Sequence, residues 1–160
     1  MTAVYEPWDA ARGAQIIAEH AKLEGATLVI MHDLQEAFGY VPEEALPMIA
    51  AELNLSRAEV YGVFTFYHDF RAKPPGRHVL KLCRAEACQA TGGDALAARA
   101  EAKLGITMGM GNTTPDGRVT LEPIYCLGLC ATAPSAMMDG RLIGRLDEAR
   151  IDALVSEAQR

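Results

Sequence analysis

The chain is short of several things, and each shortage closes off a class of function. Basic charge is in deficit: 15 Lys and Arg against 21 Asp and Glu leave a formal net charge of −6. A basic face of the kind that nucleic acid or an anionic membrane requires is therefore not expected. Long apolar runs are missing as well. The longest, LVIM at 28–31, is far below the roughly 20 residues that cross a bilayer, so no direct membrane insertion is expected. The N-terminal stretch MTAVYEPWDAARG has no basic start followed by an apolar block and does not read as a secretory signal. There is no internal repeat, no low-complexity tract, no nucleophile–base pair and no carboxylate dyad. GITMGMGNTT contains Gly109 and Gly111 but no third glycine in register and no lysine, so it is neither a dinucleotide fingerprint nor a phosphate-binding loop. Cysteine is scarce too, at four residues.

What is present suffices for a real core, since half of the 160 residues are hydrophobic. The first 70 or so residues read as helices. Thr27 is placed to cap a segment in which Ile30, Met31, Leu34, Ala37 and Phe38 recur at helical spacing, with Gly39 as the stop. A weaker pattern covers 7–24. Pro42 opens a further helix, in which Pro47 is expected to produce a kink or a delayed start. Ser56 and Glu59 form a capping box for SRAEVYGVFTFYHDF, whose aromatic end reads mostly as core filling, with part of it a candidate interface anchor. RAKPPGR at 71–77 cannot continue a helix and marks a seam. Beyond it the period changes. HVLKL reads as a strand; Thr91 and Asp94 open a helix running to about Leu104; ITMGM is a candidate short strand; NTTPDG is a turn; and 118–125 reads as a strand. Asp139-Gly140 between SAMM and RLIGRL signals a hairpin, and a last helix from about Asp147 aligns Ile151, Leu154, Val155 and Ala158. The class is α+β: an N-terminal helical bundle followed by an α/β layer on a thioredoxin-like plan, with strand order open.

The cysteines fall in two pairs, Cys83 with Cys88 and Cys126 with Cys130. Cys83 ends the first strand, Cys88 is placed in the loop before the helix, and Cys126 follows a later strand. Two strand-end loops meeting at one sheet edge would bring four thiols together. A cytoplasmic, reducing location is inferred, which weighs against structural disulfides. Spacing leaves two occupants open. A zinc-stabilised interaction module fits C-x₃-C well and C-x₄-C only at the edge of the usual range; a [2Fe–2S] cluster takes two sulfurs per iron. Gly92, Gly93 and Gly128 allow close backbone approach, and the helix opening at TGGD directs its positive end toward an anionic site. ATAPSAMM offers a small apolar wall with backbone donors. Lys81 and Arg84 read as solvated cations, and His20, His32, His68 and His78 as surface or core residues rather than ligands.

C-x₄-C followed by CLGLCATAP, together with MHDLQEAFGYVPEEAL and VYGVFTFYHDF, resembles the small thioredoxin-like [2Fe–2S] subunit family of respiratory complex I. Within that family HVLKLCRAEACQATGGDAL is most similar to the gamma subunit of soluble NAD-dependent, molybdenum-containing formate dehydrogenases. Relatives in complex I and NAD-reducing hydrogenases share the pattern, but complex I members more often carry small polar residues where Arg84 to Ala87 stand here. The resemblance implies a helical bundle over 1–72 and a thioredoxin-like [2Fe–2S] domain over 73–160. It implies that Cys83, Cys88, Cys126 and Cys130 ligate one cluster, and that the Ala133–Pro134 bond is a candidate for cis. It also implies electron exchange with an FMN- and NAD-binding flavoprotein partner beside a larger molybdenum and iron–sulfur catalytic subunit. The chain itself would be an electron carrier without substrate turnover.

Overall fold

The structure, a computed structural model, describes residues 5–160. They form two compact units that divide between Pro74 and Pro75.

The first unit holds α1 (Ala10–His20), α2 (Ala26–Phe38), α3 (Ala45–Glu52) and α4 (Arg57–Phe66). Asp9 fixes the start of α1 by accepting the Arg12 N–H at 2.8 Å, so this helix is shorter than the span read from its periodicity. Thr27 is not a cap. Gly25, in the left-handed conformation, stands at that place and Thr27 lies in the first turn of α2. The buried stripe of Ile30, Met31, Leu34 and Phe38 is as the period requires, and the Gly39 N–H closes the helix on the Gln35 carbonyl at 2.8 Å. Pro42 to Glu44 form a turn, so α3 begins at Ala45. Pro47 is then its third residue, where a missing N–H leaves no helical bond unmade, and the result is a delayed start without a kink. Ser56 and Glu59 make the reciprocal capping box of α4. That helix stops at Phe66, and Tyr67 turns to extended backbone. Of the aromatic end, Phe70 is buried in the bundle core and Phe64 packs against it, but Phe66 is 73% and Tyr67 43% exposed. Part of the run fills the core and part stands at the surface.

The second unit is a four-stranded sheet of order β2-β1-β3-β4, with β1 His78–Cys83, β2 Val119–Ile124, β3 Ala136–Met138 and β4 Arg141–Ile143. β1 and β2 are parallel; β3 runs antiparallel to β1 and forms the Asp139-Gly140 hairpin with β4. The connection from β1 to β2 carries α5 (Glu86–Ala90) and α6 (Gly93–Leu104), and α7 (Glu148–Ala158) closes the chain. Leu80, Leu82, Val119, Leu121, Ala136 and Met138 pack against Ala97 and Ala100 of α6 and Ile151, Leu154 and Val155 of α7. Full burial of such a Leu or Ile is worth about 1.5–3 kcal/mol. ITMGM is not a strand. Only scattered backbone bonds tie it to β2, such as Gly109 N–H to the Leu121 carbonyl at 3.1 Å, while side chains capture other donors: Met108 N–H reaches Glu101 and Gly111 N–H reaches Glu122. Among the described residues no helix is long and apolar enough to cross a membrane.

The outer faces of α6 and α7 are joined through Asp152. Its carboxylate accepts from Arg99 Nε at 2.7 Å and Nη2 at 2.9 Å, and Lys103 Nζ stands 3.1 Å away. The Arg99 hydrogen bonds, with help from Lys103 and against partial desolvation, hold the Asp152 pKa down to about 2, below the roughly 3.9 of an unfolded-chain aspartate. A depressed carboxylate stabilises the fold above the unfolded value, and that contribution disappears as pH falls through the folded one. Asp152→Asn is accordingly expected to lower the thermal midpoint at pH 7, with the gap to wild type closing between about pH 4 and pH 2. Thermal unfolding followed by circular dichroism across that window checks it, and a gap independent of pH would contradict it.

Candidate metal centre

The site follows from strand register. In the parallel pair Cys83 of β1 stands opposite Ile124 of β2, and both chains leave the sheet at this carboxyl end. The ladder runs one step further, with Arg84 N–H donating to the Ile124 carbonyl at 2.8 Å. Cys126 follows two residues later, and Cys130 opens a single 3₁₀ turn, Cys130–Thr132.

The first pair is spaced by a helix rather than a loop, which corrects the placement of Cys88 read from the sequence. Ala85 to Ala90 wind into α5, with Cys88 and Gln89 N–H both bonding the Ala85 carbonyl at 3.0 Å. Four intervening residues are what this turn needs, and it is tied at both ends. Gln89 Nε2 donates to the Arg84 carbonyl at 2.8 Å, and the Thr91 hydroxyl donates to the Ala87 carbonyl at 2.8 Å. Thr91 thus closes α5, and Gly92 occupies the N-cap of α6. A Cβ on Gly93 would lie 2.5 Å from the Cys88 carbonyl oxygen, so only glycine lets α6 start this close to the cysteine.

All four thiols are free. Cys83 and Cys88 are buried, whereas Cys126 and Cys130 are exposed. Cys126 Sγ and Cys130 Sγ are 3.7 Å apart, close to the ~3.8 Å edge of a tetrahedron with metal–sulfur bonds of about 2.3 Å. Among the described residues no three His, Cys, Asp or Glu side chains gather in the way a single metal ion would need. Cys126 is held at φ 81°, a left-handed conformation that costs a non-glycine residue about 1–2 kcal/mol. Gly128, at φ 75°, bends the loop back so that its N–H reaches Cys126 Sγ at 3.4 Å. A Cβ there would meet open space, so the turn, not close approach, is what calls for glycine.

Donors surround the buried sulfur. Desolvation pushes the Cys83 thiol up, but hydrogen bonds from the Ala85 backbone, the Cys88 side chain, the Cys126 backbone and the Ser135 side chain outweigh it and bring the net shift downward, toward thiolate. Cys130 moves the opposite way: its hydrogen bond and charge interaction with Cys126, then desolvation, then Cys88 and Cys83, all raise it. The sulfurs crowd one another, and the arrangement favours a cationic occupant that relieves their repulsion.

Other residues read from the sequence take different places. Lys81 is not simply solvated; its Nζ lies 3.5 Å from the fully buried Glu122 carboxylate. Arg84 pairs with Asp94 at 3.0 Å. His78 Nδ1 bonds Asp139 at 2.7 Å, and His20 pairs with Asp33. Ala133–Pro134 is cis. Ser135 is a site residue that sequence reasoning misses, because it sits within the apolar wall. It is buried, its carbonyl accepts Cys83 N–H at 3.0 Å and its Oγ lies 3.5 Å from Cys88 Sγ. A hydroxyl directly after CLGLCATAP is the one signal that could have found it.

Gly93→Ala is expected to force α6 and the Cys88 carbonyl apart. The anticipated cost is about 1–3 kcal/mol in urea unfolding, together with less bound metal per chain than in wild type. Unchanged stability and metal content would show that the corner has slack.

A family profile for thioredoxin-like [2Fe-2S] ferredoxins matches residues 13–159. The chain is 31% identical over 143 residues to the NADP-reducing hydrogenase subunit HndA of Solidesulfovibrio fructosivorans, covering 89% of this chain and 82% of that one. It is 40% identical over 121 residues to an NADH-quinone oxidoreductase subunit of Rhizobium meliloti, covering 76% and 71%. A solved NAD+-reducing [NiFe]-hydrogenase matches with a TM-score of 0.69 at 30% identity over 83% of this chain, which spans only 22% of that longer chain. The thioredoxin-like α+β architecture is thereby established, and this chain belongs to the thioredoxin-like [2Fe-2S] ferredoxin family, a membership that implies one [2Fe–2S] cluster.

Proposed function

We propose that the chain is the electron-transfer subunit of a cytoplasmic NAD-linked formate dehydrogenase, with Cys83, Cys88, Cys126 and Cys130 as the ligands of its [2Fe–2S] cluster. The observation that carries the ligand assignment is the register of β1 with β2, which delivers two thiol pairs to one sheet edge. The donor set fits the group. It is all sulfur, one pair already has the spacing of a single metal's tetrahedral edge, and N–H and O–H donors face the sulfurs. A zinc quartet would need all four sulfurs about one point, whereas a di-iron cluster takes two sulfurs per iron, and Cys126 with Cys130 already forms one such pair.

Bound there, the cluster supplies one-electron acceptor and donor chemistry. The chain's own residues set the conditions. Buried Cys83 and Cys88 shield one side from water, and the exposed Cys126–Cys130 loop leaves the other side approachable. The Ala85 N–H at the start of α5, the Cys126 N–H and the Gly128 N–H point positive dipole at sulfur, which favours the more negative, reduced state.

The partner in this reading is a flavoprotein that carries FMN and the NAD(H) site, beside a catalytic subunit with molybdenum and further iron–sulfur centres. The resemblance of the Cys83–Cys88 segment to formate dehydrogenase gamma subunits supports that branch. The similarity to hydrogenase and NADH-quinone oxidoreductase subunits supports an equivalent role in one of those complexes as the second reading.

Purification of the tagged complex without oxygen is expected to give iron and acid-labile sulfide at about two each per copy of this chain, with co-purified flavin and molybdenum and formate-dependent NAD reduction. Nickel in place of molybdenum would move the chain to a hydrogenase. One zinc and no sulfide would overturn the redox reading altogether. Serine at any of the four cysteines is expected to abolish or strongly alter the visible and paramagnetic spectra. An unchanged spectrum for Cys88→Ser would remove that residue from the ligand set.

A further inference from the structure

We infer that Ser135 is a hydrogen-bond donor to the buried Cys88 sulfur and that its hydroxyl raises the reduction potential of the cluster. This rests on the ligand assignment above and adds a residue that is not a ligand. Ser135 is 3% exposed, so water does not compete for its hydroxyl. Its Oγ lies 3.5 Å from Cys88 Sγ. Its position is fixed from the backbone, because its carbonyl accepts the Cys83 N–H at 3.0 Å and β3 begins at the next residue. The Cys88 sulfur loses its proton on binding metal, so it cannot donate and the hydroxyl proton must point at sulfur. Hydrogen bonds to anionic acceptors strengthen with charge, and one-electron reduction adds charge to the sulfurs. The bond is therefore stronger in the reduced state, which shifts the potential upward. The N–H donors at the site belong to the backbone and survive side-chain substitution. The Ser135 hydroxyl is a side-chain donor that can be removed without touching a ligand.

The test compares Ser135→Ala with Ser135→Thr in the intact complex. Iron and sulfide are measured first; their absence from wild type would overturn the ligand assignment and this inference with it. With a full cluster, Ser135→Ala is expected to shift the oxidised-to-reduced ratio about three- to tenfold toward oxidised at a fixed electrode potential, or about 30–59 mV downward at 59 mV per tenfold for one electron. Pulsed paramagnetic resonance of the reduced protein is expected to lose one exchangeable proton coupling in the alanine variant, and Ser135→Thr is expected to keep both potential and coupling. A loaded Ser135→Ala cluster with unmoved potential and couplings would overturn the inference and leave the ligands standing. Loading of Ser135→Thr but not Ser135→Ala would show that the site requires the hydroxyl and would support it. Failure of both to load would make Ser135 a packing residue and overturn it.

Discussion

The parallel pairing of β1 with β2 is the constraint on which the site depends. Parallel strands end together, so Cys83 opposite Ile124 places both outgoing loops, each carrying a cysteine pair, at one edge. Parallel strands also require a long crossover. Here the crossover is α5 and α6, and α5 carries Cys88. The connection that permits the register thus supplies one of the thiols, and β3, pairing on the other side of β1, brings Ser135 to the same edge.

Convergence creates an electrostatic problem that the local backbone addresses. Four thiols at one edge resist joint ionisation, as the upward shift at Cys130 shows. The structure answers with oriented dipoles, not with cations: the nearby basic residues are engaged elsewhere, Lys81 with Glu122 and Arg84 with Asp94, while N–H and O–H groups turn toward sulfur. Dipoles of this kind are fixed by folding and stay in place when the charge at the site changes. The left-handed backbone at Cys126 belongs to the same solution. That conformation holds its sulfur 3.7 Å from its partner thiol at a local backbone cost.

Features decided within one turn of chain were legible in the sequence. The Ser56–Glu59 box, the Gly39 stop, the Asp139-Gly140 hairpin and the Asp147 start of α7 are local agreements of side chain with backbone, and each stands where the pattern put it. Features decided across the fold were not. ITMGM has strand-like residues, but Glu101 takes the Met108 N–H and Glu122 the N–H of Gly111 just beyond it. The exposure of Phe66 and Tyr67 follows from where α4 stops, which no hydrophobicity count contains. At the site the cysteine types and spacings were readable. The helix hidden in C-x₄-C was not, because so short a segment carries no measurable period, and neither was the meeting of Ser135 with Cys88, separated by 47 positions.

Family membership implies the cofactor but does not fix the enzyme, and the residues between the first two cysteines bear on the site through the backbone around it. Arg84 stands between the first two cysteines, and a free cation there would be a means of raising the potential. Its guanidinium instead meets Asp94 in the first turn of α6, and its carbonyl receives Gln89. Its charge is thus largely cancelled, and its contribution is to clamp α5 against α6. A substitution in this stretch acts on the cluster through the position of Cys88 and the corner at Gly93, whereas the hydroxyl at Ser135 acts on sulfur itself. The two kinds of change separate in measurement, since one alters how well the cluster is held and the other alters how readily it takes an electron.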